Sequence, residues 1–237
     1  MIERQTNDGI VTLRLAHGKA SALDTELCEA ITGELRNARD ARAVILTGSG
    51  SIFSAGVDLF RMTNEGAPYV DRFFPALREA FVELFAFPRP VIAAVNGHAI
   101  AGGCLLAAAC DYRLMSGGKI GVPELLVGVP FPSVAIDILR YAAGTHAAQL
   151  AYSGVTLSPE DAKAKGLIDE VVDAEQLIAR ANEIAQRFAS IPAQSFALTK
   201  LQLRGLGKGT DADAVSVWSD PAIHAHIRDY LARTIKR

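Results

Sequence analysis

PVIAAVNGHAIAGGCLLAAACD, residues Pro90 to Asp111, contains no Asp, Glu, Lys or Arg between Val91 and Cys110, a run of twenty residues. A bilayer-spanning helix needs about that length. The run is punctuated, however: Pro88 and Pro90 precede or open it, Asn96-Gly97 is a turn signal, and Gly102-Gly103 follows. It therefore reads as a strand over Val91–Val95, a loop, and an Ala-rich helix from the glycine pair onward. A strand that is apolar at every position, and not only at alternate ones, is one buried on both faces, as in parallel sheets covered by helices.

The same design stands upstream. In AVILTGSGSIFSAGVDLFRM, Ala43 to Met62, an apolar strand over Ala43–Thr47 runs into Gly48-Ser49-Gly50 and then into Phe53-Ser54-Ala55-Gly56-Val57-Asp58. Around these two segments the chain keeps a strand, loop, helix rhythm. A strand around Ile2 to Arg4, the turn Asn7-Asp8-Gly9 and a second strand from Ile10 to Leu15 predict a hairpin. Apolar residues at helical spacing from Asp24 to Asp40 predict an amphipathic helix. Tyr112 to Met115 and Leu167 to Val172 read as strands, and Ser133 to Ala143 as a helix capped by Ser133 and stopped by Gly144. A short helix opens at Ser158-Pro159-Glu160 and closes at Gly166, and Ala174 to Ser190 is amphipathic. From about residue 190 the chain reads as helix, broken by GLGKGT at 205–210. The pattern is that of an α/β protein, with a core expected over 1–190 and a helical region over 191–237.

Half of the 237 residues are hydrophobic, 21% are charged, and the formal net charge is -2. This excludes a disordered or collagenous chain. It also leaves no electrostatic footprint for nucleic acid. The opening MIERQTNDGIV lacks the basic and apolar regions of a signal peptide, so no membrane association and a cytoplasmic location are expected. Cys28, Cys104 and Cys110 form no CxxC and have apolar neighbours, which points to buried free thiols. No His, Cys or carboxylate grouping has metal-ligand spacing, so no metal is expected.

Two loops carry the chemistry. Small residues at Ser54-Ala55-Gly56 let a backbone approach a ligand closely. A helix starting at Gly102 presents unpaired N–H groups and the positive end of its dipole. Taken singly, each loop is as readily a structural turn: Gly48-Ser49-Gly50 fails the GxGxxG spacing at its third glycine, and no Gly-Lys-Ser/Thr follows. Brought together, the two loops would supply convergent N–H donors to a developing negative oxygen.

FSAGVDL, AAVNGHAIAGGC, CDYRLMS, IGVPELLVGV and GLIDEVV occur in the order found in the crotonase family of enoyl-CoA hydratases, isomerases and their relatives. The chain resembles that family from KASALD at 19–24 through the helical tail. The resemblance implies a crotonase-like spiral of repeated ββα units with a C-terminal helical trimerisation region. It further implies a homotrimer or dimer of trimers, and an acyl-CoA substrate whose CoA is part of the thioester and not a separate cofactor. It places oxyanion-hole amides on Val57 and Gly102. It sets the CoA moiety against Lys19, Ala20, Ser21, Ala22 and Leu23 and the backbone of Ser54 and Ala55. Leu59, Phe60 and Met62 then flank the acyl or pantetheine channel, with helix core as their alternative role. Lys200, Arg204 and Lys208 of the tail are candidates to reach a CoA phosphate.

Two positions bear on the reaction. Hydratases of the family carry Glu two residues past the glycine pair, where this chain has Leu105. The other carboxylate position, in Gly121-Val122-Pro123-Glu124, is retained. Behind Pro123, Glu124 also fits a helix-start residue complementing the dipole. With the resemblance it is the expected base, its pKa raised by an apolar pocket. Adding water to an enoyl thioester is usually served by two carboxylates, whereas moving a double bond needs one. The segments AGGCLLAAACDYRLM and Val129-Pro130-Phe131 are also similar to the Δ3,Δ2-enoyl-CoA isomerase branch. Isomerisation is the expected activity; enoyl-CoA hydration and non-catalytic binding of a CoA thioester are the alternatives. His98 reads as a hydrogen-bonded packing residue, Asp58 and Asp111 as caps or ion-pair partners, and Ser54 lacks the partners of a hydrolase triad.

Overall fold

The chain reverses at Asp8-Gly9, both at positive φ, and pairs β1 (Ile2–Asn7) with β2 (Ile10–Leu15) in antiparallel register, Ile2 opposite Leu15. The computed structural model describes residues 1–206 and 211–234. After the hairpin comes α1 (Thr25–Asn37), whose first turn is closed by Asp24 accepting from the Leu27 N–H at 2.8 Å.

Three strand pairs follow, each a strand, a tight corner and a second strand. They are β3 (Ala43–Thr47) with β4 (Ile52–Ser54), β5 (Val91–Val95) with β6 (His98–Ile100), and β7 (Tyr112–Met115) with β8 (Ile120–Gly121). After the first pair come α2 (Leu59–Glu65) and α3 (Ala67–Phe85); after the second, α4 (Gly102–Ala108). The third leads into a 3-10 turn over Glu124–Val127 and then α5 (Ser133–Ala143) and α6 (Ala147–Ser153). Two short strands complete the sheets, β9 (Thr156–Leu157) and β10 (Glu170–Val171). The first strand of each pair joins a six-stranded sheet, β1-β2-β3-β5-β7-β10, parallel beyond the hairpin. The second strand joins a four-stranded sheet, β4-β6-β8-β9. This is the spiral of repeated ββα units that the sequence motifs imply.

The corners stack on one another. The Asn96 side chain accepts from the Gly48 N–H at 2.8 Å and donates to the Gly50 carbonyl at 2.9 Å, while the His98 N–H reaches the Ser51 carbonyl at 3.0 Å. A Cβ on Gly97 would lie 1.8 Å from that Ser51 oxygen, so the Asn-Gly step is required where one rung sits on the previous one.

The larger sheet is buried on both faces, which explains strands without alternation. On one face Leu13, Val44, Leu46 and Val91 meet α1, α3 and α4; on the other Ile10, Ile45, Ile92 and Leu114 meet Leu177, Ala181 and Ile184 of α8 (Leu177–Ala189). Every residue of α4 is buried, so the uncharged stretch is the centre of the molecule. No described helix is long and apolar enough to cross a membrane. All three cysteines are buried, and burial pushes their thiol pKa values up.

Some local expectations are corrected. Ser133 is the first residue of α5, behind Pro132, and makes no side-chain cap. The expected strand from Leu167 shrinks to β10 because the Leu167 N–H bonds the Ala162 carbonyl, closing α7 (Pro159–Ala164). The tail opens with α9 (Ala193–Leu203), followed by α10 (Asp211–Trp218) and α11 (Pro221–Thr234). A buried cluster docks α9: Lys200 Nζ lies 2.8 Å from Asp111 Oδ2, and Arg204 lies 2.7 Å from Oδ1. Arg204 also donates to the carbonyls of Phe85 and Ala109 and stacks on the rings of Phe85 and Tyr141. Lys200 and Arg204 therefore hold the core and do not face a CoA phosphate. Lys208 and most of the GLGKGT segment lie outside the described residues.

Candidate active site

The stacked corners bring the two glycine loops face to face. A Cβ on Gly102 would lie 3.8 Å from Gly56 Cα, and one on Gly56 would lie 3.1 Å from Gly102 N and 2.6 Å from the Ile100 carbonyl. The approach requires glycine at 56, which also adopts φ +83, whereas a Cβ on Gly102 would collide with Leu23 Cδ1 at 2.7 Å. The Leu23 N–H donates to the Gly56 carbonyl at 2.7 Å, and the Asp58 N–H to the Leu23 carbonyl at 3.0 Å. In this parallel bridge the N–H of Val57 itself turns away from Leu23. Across from it, Ala101 takes φ +52, unusual for a residue with a side chain, and its N–H donates to the Gly121 carbonyl at 2.8 Å. That turn opens α4 with the Gly102 N–H unpaired, as amides of a first helical turn are. Among the described residues neither the Val57 nor the Gly102 N–H has a hydrogen-bond acceptor.

Both residues line a cavity of about 240 Å³. Leu59 and Met62 of α2 form one side, and Val70, Phe73, Phe74, Leu77 and Phe81 of α3 another. Leu105 of α4 and the segment Val129, Pro130 and Pro132 complete the wall. Glu124 is the only ionisable side chain among the described residues that line it. The 3-10 turn places it there, with the Val129 N–H donating back to the Glu124 carbonyl at 3.1 Å. The residue is 8% exposed, and its Oε2 has no hydrogen-bond partner among the described residues. Burial pushes its pKa up to about 7, opposed by a hydrogen bond from its own backbone.

Val57, Gly102, Glu124 and Leu59, singled out from the sequence, thus meet at one cavity. Lys19, Ala20, Ala22 and Ala55 lie on the neighbouring outer loops, zipped together by the Ala55 N–H donating to the Ala20 carbonyl at 3.0 Å. Lys19 and Ala55 are exposed and Ala20 and Ala22 half-buried. Ser54, whose backbone is expected beside the CoA moiety, is fully buried, its hydroxyl donating to the Ser21 carbonyl at 2.7 Å and accepting from the Gly56 N–H. Phe60 is 84% exposed and belongs neither to the cavity wall nor to the core. His98 is exposed, not packed, with Nδ1 accepting from the Lys119 N–H at 3.2 Å. Asp58 caps α2 through the Arg61 N–H. The α3 wall was not anticipated. Its signal is the apolar series Val70, Phe73, Phe74, Leu77, Phe81 at helical spacing, which Pro75 obscures.

Two free amides at one end of an apolar chamber, with one poised carboxylate beside them, suit proton transfer next to a carbonyl group. The sequence profile of the family described as Enoyl-CoA hydratase/isomerase matches residues 5–212. Mitochondrial enoyl-CoA delta isomerase 1 of Rattus norvegicus is 32% identical over 212 residues, covering 86% of this chain and 73% of the relative. Its Homo sapiens counterpart is 30% identical over 249 residues, covering 98% and 82%. Among solved structures, an enoyl-CoA hydratase of Mycobacterium smegmatis has a TM-score of 0.85 at 28% identity, covering 100% of this chain and 98% of the other. With the same spiral and a family match along most of its length, the chain belongs to the enoyl-CoA hydratase/isomerase family of enzymes, the crotonases.

Proposed function

We propose that the protein converts 3-enoyl-CoA thioesters into 2-enoyl-CoA thioesters, with Glu124 as the single base. Leu105 carries this reading: where a second carboxylate would help activate water, the chamber wall is apolar. In the proposed step the thioester oxygen accepts from the N–H groups of Val57 and Gly102, each such donor being worth about 3 kcal/mol in a dry site. The Glu124 carboxylate takes a proton from C2, and the electron pair of that bond makes the enolate. As the carbonyl re-forms, C2=C3 forms, C3=C4 opens, and the carboxyl returns the proton to C4. Atoms and charge balance within the substrate, whose own CoA is the only carrier group involved. That CoA is assigned to the outer face of Lys19, Ala20, Ala22 and Ala55, beside the amides.

The test supplies purified protein separately with 3-enoyl-CoA and 2-enoyl-CoA and determines the product double-bond position. Migration from C3 to C2 at the faster turnover is expected. Faster hydration of 2-enoyl-CoA would replace this reading with the hydratase one, and binding without any turnover would leave a thioester-binding protein.

A further inference from the structure

Phe74 stands at a boundary. It lines the chamber that holds Glu124, and it also lines an outer groove of about 450 Å³ together with Arg36, Pro75, Arg78, Glu79 and Glu83. The residue is 45% exposed and is the one side chain among the described residues that lines both spaces.

Helix α3 acts as a ruler along the chamber. Phe81 sits at the thioester end, since a Cβ on Gly102 would lie 3.7 Å from its ring. Phe74 is two turns earlier on the same stripe, about 10 Å away at ~1.5 Å of rise per residue; with ~1.25 Å per carbon of an extended chain, an acyl group reaches it after about eight carbons. A longer chain passing Phe74 would enter the groove among the ion pairs of Arg36 with Glu79 and Glu83. Covering those charges with hydrocarbon is unfavourable.

We infer that the chamber takes a medium-chain acyl group of up to about eight carbons, and that Phe74 sets this limit by closing the chamber off from the outer groove. The inference rests on the CoA-thioester reading above and deepens it by naming the acyl class.

Calorimetric titration with saturated acyl-CoA thioesters from four to sixteen carbons tests it. These ligands have no double bond to move, so the length series is independent of the proposed reaction. Affinity should rise about tenfold for each two carbons added, as buried methylenes predict, and level off at roughly eight. In Phe74→Ala the rise should continue to twelve carbons or beyond, and in Phe74→Trp it should stop earlier. A wild-type affinity that climbs undiminished to sixteen carbons, or the same plateau in both variants, overturns the inference. A plateau at eight that moves with residue 74, accompanied by no isomerisation of any 3-enoyl-CoA, would uphold the length limit and remove only the isomerase reading. Failure of every thioester to bind would remove both.

Discussion

Glu124 is held as a carboxyl in apolar surroundings with one oxygen unpaired, and both its usefulness and its cost follow from that. A base must be ionised to act, so kcat/KM for 3-enoyl-CoA should rise through about pH 7 and level off above it. A profile that is flat from pH 5 to 9 would speak against Glu124. The cost appears in stability. The unfolded chain loses this proton near the ordinary carboxyl pKa while the folded chain keeps it to about 7, so the fold binds more protons in between and weakens as pH rises through that window. Glu124→Gln, neutral at every pH, should therefore abolish turnover yet stabilise the fold by roughly 2–3 kcal/mol at pH 8, with the gain fading towards pH 4.5. Thermal melts at both pH values read this difference. Glu124 and Leu105 were legible in the sequence because each sits at a fixed offset inside a motif. Ser54 and Lys200 were not, because their burial is set by Ser21, Gly56 and Asp111, which are remote in the chain or hidden by the fold.

At the scale of elements, the decisive contact is the one between the two glycine loops. In Gly56→Ala the added methyl would meet the Ile100 carbonyl at 2.6 Å and the Ala101 Cβ at 2.8 Å, on a backbone with φ +83. The loops must then part, and turnover should drop at least ~100-fold, the scale of losing one oxyanion donor. Gly33→Ala serves as the contrast: it lies within α1 with no described residue inside 4 Å of the added carbon, so it should gain up to about 1 kcal/mol and keep full activity. Strands β3 and β5 were readable because burial on both faces leaves unbroken apolar runs, and their Gly and Asn-Gly corners are encoded locally. Helix α3 was passed over because Pro75 breaks the expected propensity, and the helix survives through the packing of Phe73, Leu77 and Phe81. Strand β9 exists only by pairing, which no local signal announces, while β10 is the paired remnant of the strand read over Leu167 to Val172.

Across the whole molecule, Asp111 joins the end of α4 to the tail, with Lys200 and Arg204 sharing one buried carboxylate. Asp111→Ala strands two buried cations and should cost about 3–5 kcal/mol. Limited proteolysis should then cut early between α8 and α9, whereas unchanged resistance would show that apolar packing alone docks the tail. Along the tail, Leu203, Val215, Trp218 and Ile227 are exposed apolar side chains, surface that the trimeric assembly implied by the family resemblance would cover. Sedimentation should give three or six times the 25.2 kDa chain mass, and a monomer mass at micromolar concentration would refute it. The buried cysteines have a further consequence at this scale. With Cys28, Cys104 and Cys110 enclosed and their thiols held protonated, the native chain offers no thiolate to an alkylating reagent. A single Phe60→Cys replacement, at a side chain that projects into solvent from α2, would give the protein one addressable label, an optical reporter placed beside the chamber on a chain that is otherwise chemically silent.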